Sequence, residues 1–514
     1  MKTSLNKLLP TCSLLLVILF AGNTVSAQLL ELPEISTPVP VTATSHPLLA
    51  ANHQQVPLDL ADYGYVEQEY LLSGEAGVYD WPSGDGTDPL EPLAAGPYQT
   101  RILVRRPAAI SAASGVVIVE ALNPSSPVDL PIMWAESHLQ FMADCVTWVG
   151  VTVKPNTMIA LKRFDPARYA SLSMAHPENG PTCAASAIYS WSNPTTPDYE
   201  TGLAWDMLTQ LGLLLKSDSA DNPAGVPAQR LYMTGQSQTA GYARTYATVF
   251  ARAIENDLGE PLYDGYLYSG GPPWQVPLYQ CMEDFPEGDP RLLTGPAGVP
   301  VIELFAQGDI GTNIGVRRQD AESQDDLYRR YEVAGGVHVD PWEGRSSPSD
   351  EDMLQAVGGL GADPVCDQVD VEPSDFPNRY LMNAAWRNLD AWVRDGNPAP
   401  RSPRLELVPE ASAAFDPAAS FVVDEHGNAL GGVRTPYVDV PTARWIGAKT
   451  PSFNCMFYGY KISFDKDRLE ALYSSHADYV RQVRESVEDL QAQGWLTREN
   501  AAEIIREAEL APVP

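Results

Sequence analysis

The amino-acid sequence predicts an α/β fold with a central, mostly parallel sheet and antiparallel edge strands. Residues 115–122 and 146–153 are nearly continuous apolar runs, which are typical of parallel strands covered on both faces. Strand-like and helix-like stretches then alternate as far as residue 305, the order expected of a right-handed α/β sheet. Among them, residues 229–242 have the pattern of a short strand, a tight turn and a helix, with Ser237 at the turn.

The N-terminus has the pattern of a secretory signal peptide over residues 1–27. Lys2 and Lys7 precede an apolar run that is too short for a membrane span, and small residues at 25–27 form a cleavage site. We therefore expect a secreted or periplasmic protein with no membrane span. The Pro-, Thr- and Leu-rich residues 28–60 indicate an extended lead-in to one domain at 61–514.

The net charge restricts the partners that the protein can bind. The 514 residues carry a formal net charge of -32, and loss of residues 1–27, with two lysines and no acid, takes it to -34. Nucleic acids and anionic membrane surfaces are bound by basic faces. We therefore expect neither partner, whereas the charge is compatible with a highly soluble extracellular protein.

Five cysteines remain after residue 27, and none forms a C-x-x-C pair, so a zinc ribbon or a thioredoxin-type motif is not expected. Cys145 begins an apolar strand-like run and is predicted to be a buried free thiol. The other four lie in loop-like stretches and could form two bridges in an oxidising compartment, with their pairing left open. These four are Cys183, Cys281, Cys366 and Cys455.

Apolar periodicity and turn residues predict the other strands and helices. Apolar and polar residues alternate in the edge strands, whereas apolar residues recur at helical spacing on one face of each helix. The predicted strands are residues 65–72, 98–106, 265–268 and 299–305; the predicted helices are residues 134–143, 201–216 and 378–395, with further helices in the last 50 residues.

Two Pro-containing excursions interrupt these elements at residues 155–200 and 271–298. We expect both to be irregular and to cover a cleft above the sheet. Trp191 and Trp274 lie in them and could bind an apolar or aromatic group, although packing within a loop is the commoner role of such residues. Residues 401–514 are expected to form a C-terminal extension packed on the core.

The turn at Ser237 resembles the strand-turn-helix that exposes a nucleophilic serine. The usual pattern is G-x-S-x-G, and here Gly235 and Ser237 are in place while Thr239 replaces the second glycine. A helix that follows such a serine directs its N-terminal N–H groups and positive dipole end at the place where an oxyanion forms. We therefore predict that Ser237 is a nucleophile.

A serine nucleophile needs a base, usually a histidine, that lies later in the chain of this type of fold. His338 follows a strand-like stretch and a glycine turn, so it is the predicted base. His426 lies in a predicted surface turn, and His476 has the spacing of a packed helix residue.

An acid should follow the strand that precedes the histidine. Asp309 comes just after the strand at 299–305 and is the predicted acid, with Glu303, inside that strand, as the alternative. Asp340 is too near His338 in sequence to orient the imidazole and is expected to be an exposed loop residue.

The oxyanion is expected to accept a hydrogen bond from the backbone N–H of Gln238, the residue after the nucleophile. A second donor should come from the loop that begins at Asn123. Pro124 has no N–H, so the donor is either Ser125 or the side chain or backbone of Asn123.

Three segments resemble the secreted bacterial α/β hydrolase domain-containing family, over about residues 60–510. They are the Ser-Gln turn at 235–242, the Tyr-Glu-Val-Ala-Gly segment that ends in His338, and the glycine-rich residues 427–434. The resemblance implies an α/β-hydrolase fold and serine ester hydrolysis with undefined substrates. Members of that family often carry an extra carboxylate beside the acid. Here Gln307 and Gly308 precede Asp309, so the resemblance implies that Asp309 is the acid.

We therefore expect an exported serine esterase that cleaves small-molecule or polymeric carboxylic esters through Ser237, His338, Asp309 and an acyl-enzyme. No cofactor is implied. The same three residues would also serve an amidase or an acyltransferase, and a catalytically silent binding protein is the alternative from another class. A metal-dependent hydrolase is not expected, because there is no H-E-x-x-H motif and no histidine pair at ligand spacing.

Overall fold

The computed structural model describes residues 30–82, 90–184, 197–360, 366, 371–408, 420–447 and 453–514. The predicted signal peptide at 1–27 and Trp191 lie outside these residues. Within the described part of the chain, no helix combines the length and the apolar character that crossing a bilayer requires.

One large sheet organises the molecule, in the order β1–β2–β3–β7–β4–β8–β9–β10–β12–β11. The six central strands, β7 to β12 in this order, are mutually parallel, and the strands outside them pair antiparallel. The predicted fold class is therefore confirmed. The strands are β1 Glu34–Ile35, β2 Tyr65–Tyr79, β3 Pro92–Pro107, β4 Val116–Ala121, β5 Asn123–Ser126, β6 Val128–Leu130, β7 Thr147–Val151, β8 Arg230–Gln236, β9 Gly265–Ser269, β10 Pro300–Ala306, β11 Ala321–Ser323 and β12 Asp326–Val333.

Helices cover both faces of this sheet. The helices are α1 Ile132–Ala143, α2 Pro155–Phe164, α3 Pro166–Tyr169, α4 Ala204–Lys216, α5 Gln238–Thr245, α6 Ala251–Leu258, α7 Gln307–Ile310, α8 Asp350–Val357, α9 Asn378–Asp395, α10 Pro436–Asp439, α11 Phe453–Tyr458, α12 Lys466–Leu472, α13 His476–Ala492 and α14 Arg498–Leu510. A π-helical turn, Tyr246–Phe250, joins α5 to α6.

Strand β4 shows why a continuous apolar run marks a central strand. Val117 and Val119 contribute to the hydrophobic cluster that also contains residues of α2, α4 and α5. Val116 and Ile118 contribute to the cluster on the other face, with residues of α1, α9, α13 and α14. Successive side chains of a strand point to opposite faces, so a strand that is covered on both faces has apolar residues at most positions. The exception in β4 is Glu120, whose buried carboxylate accepts the N–H groups of Met133 and Trp134.

Two elements differ from the sequence prediction. The edge hairpin of β2 and β3 is longer than predicted, because residues 73–79 and 92–97 extend the pairing without an alternating pattern. Residues 155–164, expected to be irregular, form helix α2. Pro155 occupies the first turn of α2 and Pro166 that of α3, where a missing N–H costs nothing, so these prolines start helices rather than disrupt the segment.

Two disulfides connect distant parts of the chain. Cys183 bonds to Cys281, and Cys366 bonds to Cys455. Cys145 is a free thiol and is only partly buried. The second bridge lies near a small sheet of β13 Glu372–Pro373, β14 Ala443–Ile446 and β15 Tyr460–Ser463, in the order β13–β15–β14.

Candidate active site

Ser237 lies at a strained turn between β8 and α5. Its backbone has φ 54° and ψ -119°, which is rare for a residue with a side chain, and its N–H donates to Ser269 O at 2.8 Å. A Cβ on Gly235 would lie 2.4 Å from Thr239 O, so only glycine is accommodated there without movement. The turn therefore exposes the serine hydroxyl at the carboxyl end of the parallel sheet, where ligands bind in such folds.

Thr239 occupies the place of the second glycine of the usual pattern. Its side chain is fully buried, and its hydroxyl donates to Gln236 O at 3.2 Å. The threonine therefore closes the turn with a side-chain hydrogen bond, and the departure from G-x-S-x-G is compatible with the turn geometry.

His338 lies five residues beyond the end of β12 and reaches the serine. Its Nε2 is 2.9 Å from Ser237 Oγ. Its own loop is held by two amide side chains: Gln236 donates to His338 O at 3.0 Å, and Asn378 donates to Val337 O at 2.5 Å. The imidazole is thus positioned from β8 and from the start of α9.

Asp309 lies in the short helix α7, directly after β10. Its Oδ1 is 2.5 Å from His338 Nδ1, and its Oδ2 accepts the N–H of Ala306 at 2.8 Å. The neighbouring Gln307 accepts the N–H of Gly335 at 2.8 Å, which ties the acid loop to the histidine loop. Serine, imidazole and carboxylate thus form one hydrogen-bonded chain, which is the arrangement that activates a serine nucleophile.

The structure places the competing acids away from His338. Glu303 is buried in β10 and accepts hydrogen bonds from Thr294 and Tyr328. Burial alone would raise the pKa of Glu303, but Arg244 and Arg330 hold it below its ordinary value. This carboxylate belongs to a buried ionic network and is not the partner of the imidazole.

Asp340 was expected to be an exposed loop acid, and that expectation is wrong. Its side chain is fully buried. Its carboxylate accepts the backbone N–H groups of Trp342 and Arg379, which compensate for the loss of water. Sequence patterns gave no sign of this, since Arg379 lies at the start of α9, far along the chain.

The other two histidines stand apart from this chain of hydrogen bonds. His426 lies in the turn at 424–428, 3.7 Å from Glu425. His476 begins α13 and is only partly buried, and its ring nitrogens lie 3.2 Å from the backbone oxygens of Val513 and Glu509.

Two of the three groups predicted as the second oxyanion donor make hydrogen bonds within the protein. The N–H of Ser125 donates to Asn123 Oδ1 at 2.8 Å, and the side chain of Asn123 donates to Gln236 O at 2.8 Å. Both predicted groups therefore have acceptors within the protein, and Ser125 is not open to a substrate oxygen in this structure. Gln238 begins α5, where the first N–H groups have no acceptor within the helix.

Three further residues, which no sequence motif indicated, also surround the imidazole. Gln236 fixes the His338 carbonyl, as described above. A Cβ on Gly270 would lie 3.1 Å from the His338 ring, so this glycine makes room for the histidine. The ring of Phe457 lies 4.9 Å from the His338 ring. A pair of glycines directly after β9 is a sequence pattern that could have indicated Gly270. Phe457 lies on the distant helix α11, so no such local pattern indicates it.

A buried lysine follows β7 at the same edge of the sheet. Burial lowers the pKa of Lys154 to about 7. Nearby, the side chain of Asn156 donates to Pro124 O at 3.3 Å and links the start of α2 to the loop after β4. This hydrogen bond holds the loop that carries Asn123 and Ser125.

The family described as alpha/beta hydrolase domain matches residues 35–506. No curated protein matches the chain.

Solved structures resemble the chain only distantly. A serine hydrolase without a lid from Xanthomonas campestris is 12% identical, with 55% of this chain and 92% of that chain covered and a TM-score of 0.24. A glucuronoyl esterase from Solibacter usitatus is 9% identical, with 64% and 88% covered and a TM-score of 0.26. Likenesses at such TM-scores carry no conclusion about fold or activity.

Proposed function

The chain belongs to the α/β hydrolase domain family and is a hydrolase, and from this premise we propose that it is an exported serine hydrolase that cleaves carboxylic esters. The observation that carries the proposal is the hydrogen-bonded chain from Ser237 through His338 to Asp309, with separations of 2.9 and 2.5 Å. A hydroxyl, an imidazole and a carboxylate in this order supply the nucleophile, the base and the group that orients the base.

In the proposed acylation step, His338 Nε2 removes the Ser237 proton as Oγ attacks the ester carbonyl carbon. The carbonyl oxygen becomes the oxyanion and accepts a hydrogen bond from the N-terminal turn of α5, beginning with Gln238 N–H. The tetrahedral intermediate collapses, the bond to the alcohol oxygen breaks, and the imidazolium returns its proton to the departing alcohol. Ser237 then carries the acyl group.

In the proposed deacylation step, water takes the place of the alcohol. His338 removes a proton from the water as its oxygen attacks the acyl carbon, and the same donors stabilise the second oxyanion. Collapse breaks the bond to Ser237 Oγ, which regains its proton from the imidazolium. The products are the carboxylic acid and the free enzyme.

Asp309 acts through the imidazole in this scheme. Its carboxylate accepts the Nδ1–H, so the lone pair of Nε2 faces Ser237 and the imidazolium is stabilised when it forms. The hydrogen bond from Ala306 N–H holds the second carboxylate oxygen and keeps the acid from turning away.

Ester cleavage is proposed over amide cleavage because members of the family that the sequence resembles are taken as ester hydrolases. Export is supported by the signal-peptide pattern at residues 1–27 and by two disulfides, which persist in oxidising compartments.

The first test is hydrolysis of short- and medium-chain p-nitrophenyl esters by the protein and by Ser237→Ala. We expect kcat to fall by about 10³-fold or more in the variant, because the nucleophile is removed. Ser420→Ala, at an exposed serine, is the matched control and should keep full activity. Equal activity in Ser237→Ala and the unmodified protein would refute the assignment.

A protein that is inactive on these esters calls for a second measurement. Stoichiometric labelling of Ser237 by a fluorophosphonate, absent in His338→Ala, would support an activated serine with a narrower substrate range. A folded protein with neither activity nor labelling would contradict the proposed function and favour a binding protein on a hydrolase scaffold.

A further inference from the structure

Two histidines and an aspartate converge at the place where the N-terminal lead-in meets helix α8. The rings of His46 and His53 stack with centroids 3.6 Å apart and planes inclined by 19°. His46 Nε2 lies 3.3 Å from both carboxylate oxygens of Asp352. One ligand-type atom from each of the three residues lies within 4.8 Å of the other two.

One of these separations matches the distance between two ligands of a tetrahedral metal ion. Zinc binds imidazole nitrogen and carboxylate oxygen at about 2.0–2.2 Å, so two such ligands at the tetrahedral angle are about 3.3–3.5 Å apart. The distance from His46 Nε2 to the Asp352 oxygens is 3.3 Å. The pair is therefore spaced as neighbouring ligands, and His53 has a third ligand-type atom within 4.8 Å of both.

The buried negative charge of Asp352 also favours binding of a cation. The Asp352 side chain is 4% exposed, and among the described residues its carboxylate is hydrogen-bonded only to His46, which is 22% exposed. A carboxylate removed from water is costly unless a positive charge compensates it. A divalent cation bound by both imidazoles and the carboxylate supplies this positive charge.

The backbone around the three residues is already fixed. Ser349 N–H donates to His53 O at 2.9 Å, Gln55 N–H donates to Ser347 O at 2.9 Å, and Gln54 pairs with Pro348. Asp352 itself lies in the first turn of α8, and its N–H donates to the hydroxyl of Ser349, the N-cap residue. The ligands thus come from two segments that main-chain hydrogen bonds hold together, which reduces the conformational cost of binding.

We propose that His46, His53 and Asp352 form a Zn²⁺ site that fastens the lead-in to helix α8. Two imidazoles with one carboxylate favour zinc over calcium or magnesium, which prefer oxygen ligands. A water molecule completes four-coordination. Because the set contains none of Ser237, His338 and Asp309, the bound ion stabilises the fold and takes no part in ester cleavage.

The test uses the full mature chain after treatment with a chelator and removal of that chelator. Titration calorimetry with ZnCl₂ at pH 7.5 should show one site, and saturation should raise Tm by about 2–4 °C, because the ion binds the folded state only. CaCl₂ should produce no such shift. Co²⁺ in place of Zn²⁺ should give the visible absorption of four-coordinate cobalt.

Three site variants and one control distinguish binding at this site from non-specific binding of cations to an acidic protein. His46→Ala and Asp352→Asn should lose the calorimetric site and the zinc-dependent rise in Tm. His426→Ala, at a partly exposed histidine elsewhere, should keep both. His53→Gln is the mildest change and should weaken zinc binding at least tenfold. This variant still tests the site if His46→Ala and Asp352→Asn fail to fold.

Proton competition provides an independent readout. Zinc requires neutral imidazoles, so protons should compete for this site as pH decreases, whereas binding to surface carboxylates would persist to about pH 5. The proposal is refuted if zinc binds His53→Gln as tightly as the unmodified protein. It is also refuted if zinc leaves Tm unchanged, since the three residues would then be only an ion pair with a stacked ring.

Discussion

At the scale of single residues, the site depends on a few close approaches that tolerate no added atoms. Ser237 adopts a left-handed conformation, Gly235 lies against the backbone of Thr239, and Gly270 lies against the His338 ring. Such strain persists only where the surroundings hold it in place, and here β8 and α5 do so. The residue types at these positions are therefore set by space as much as by chemistry.

Replacement of Gly235 by alanine should disrupt the turn. The new Cβ would meet Thr239 O at 2.4 Å, so α5 must shift relative to β8. We expect a loss of about 1–3 kcal/mol in the free energy of unfolding, as for overpacked sites, and at least a tenfold lower kcat/KM. Gly344→Ala is the control, since its Cβ would meet nothing within 4 Å. Similar kinetics in both variants would contradict this account.

A buried pair of carboxyl groups should make stability depend on pH. Burial raises the pKa of Glu136 and of Glu343, and a hydrogen bond joins the two side chains. Asp340, with its raised pKa, and the positive Arg379 face the same pair. A shared proton is therefore expected to be retained in the folded protein at pH values where the unfolded chain has lost it.

The sign of the effect follows from the raised pKa values. The stabilisation from the shared proton is fully present below the unfolded pKa of about 4.3 and is lost as pH rises through the folded values. Glu136→Gln keeps a hydrogen-bond donor to Glu343 and has no proton to lose. Urea unfolding at pH 5 to 9 should therefore show this variant gaining stability over the unmodified protein as pH increases. A difference that is constant with pH would exclude a shared proton.

At the scale of elements, the parallel strands carry the candidate site at their carboxyl ends. Ser237 follows β8, Asp309 follows β10, and His338 follows β12. These three strands lie close together in the sheet order, with β9 between the first two, so short loops suffice to bring the side chains into contact.

The disulfide Cys183–Cys281 joins the two excursions at 155–200 and 271–298. Its cysteines are separated by 98 residues, and a bridge over so long a loop restricts the unfolded chain strongly. We expect Cys183→Ser/Cys281→Ser to lose about 2–5 kcal/mol in the free energy of unfolding, measured in urea without reductant. Cys145→Ser, at the free thiol, is the control and should cost less than 1 kcal/mol. Equal losses would show that the bridge contributes nothing.

At the scale of the whole molecule, the net charge of -32 sets a background of self-repulsion. Compaction brings these charges together, and salt screens them over about 10 Å at 0.1 M. Tm should therefore rise as NaCl increases from 10 mM to 500 mM, with KCl giving the same curve because screening is not ion-specific. A Tm that falls with salt would indicate that attractive ion pairs, such as the buried Arg101–Glu69 and Arg330–Glu332 pairs, dominate instead.

The sequence by itself determined the α/β fold, the order and approximate bounds of the central strands, helix α9 and the strained serine turn. Apolar periodicity, glycine positions and strand-to-helix transitions are local properties, and local sequence is sufficient to specify them. The chain order of serine, acid and histidine then selected Ser237, Asp309 and His338, and the structure brings these three side chains into contact.

Only the tertiary structure decided which distant groups meet. The Asn123 side chain donates to Gln236 O, Arg379 accompanies a buried Asp340, and Cys183 pairs with Cys281. His46 and Asp352 lie 306 positions apart in the chain yet are in contact. Each of these contacts joins segments whose local patterns are independent of one another, so the partner is chosen by the packing of the folded sheet and its helices rather than by either segment alone.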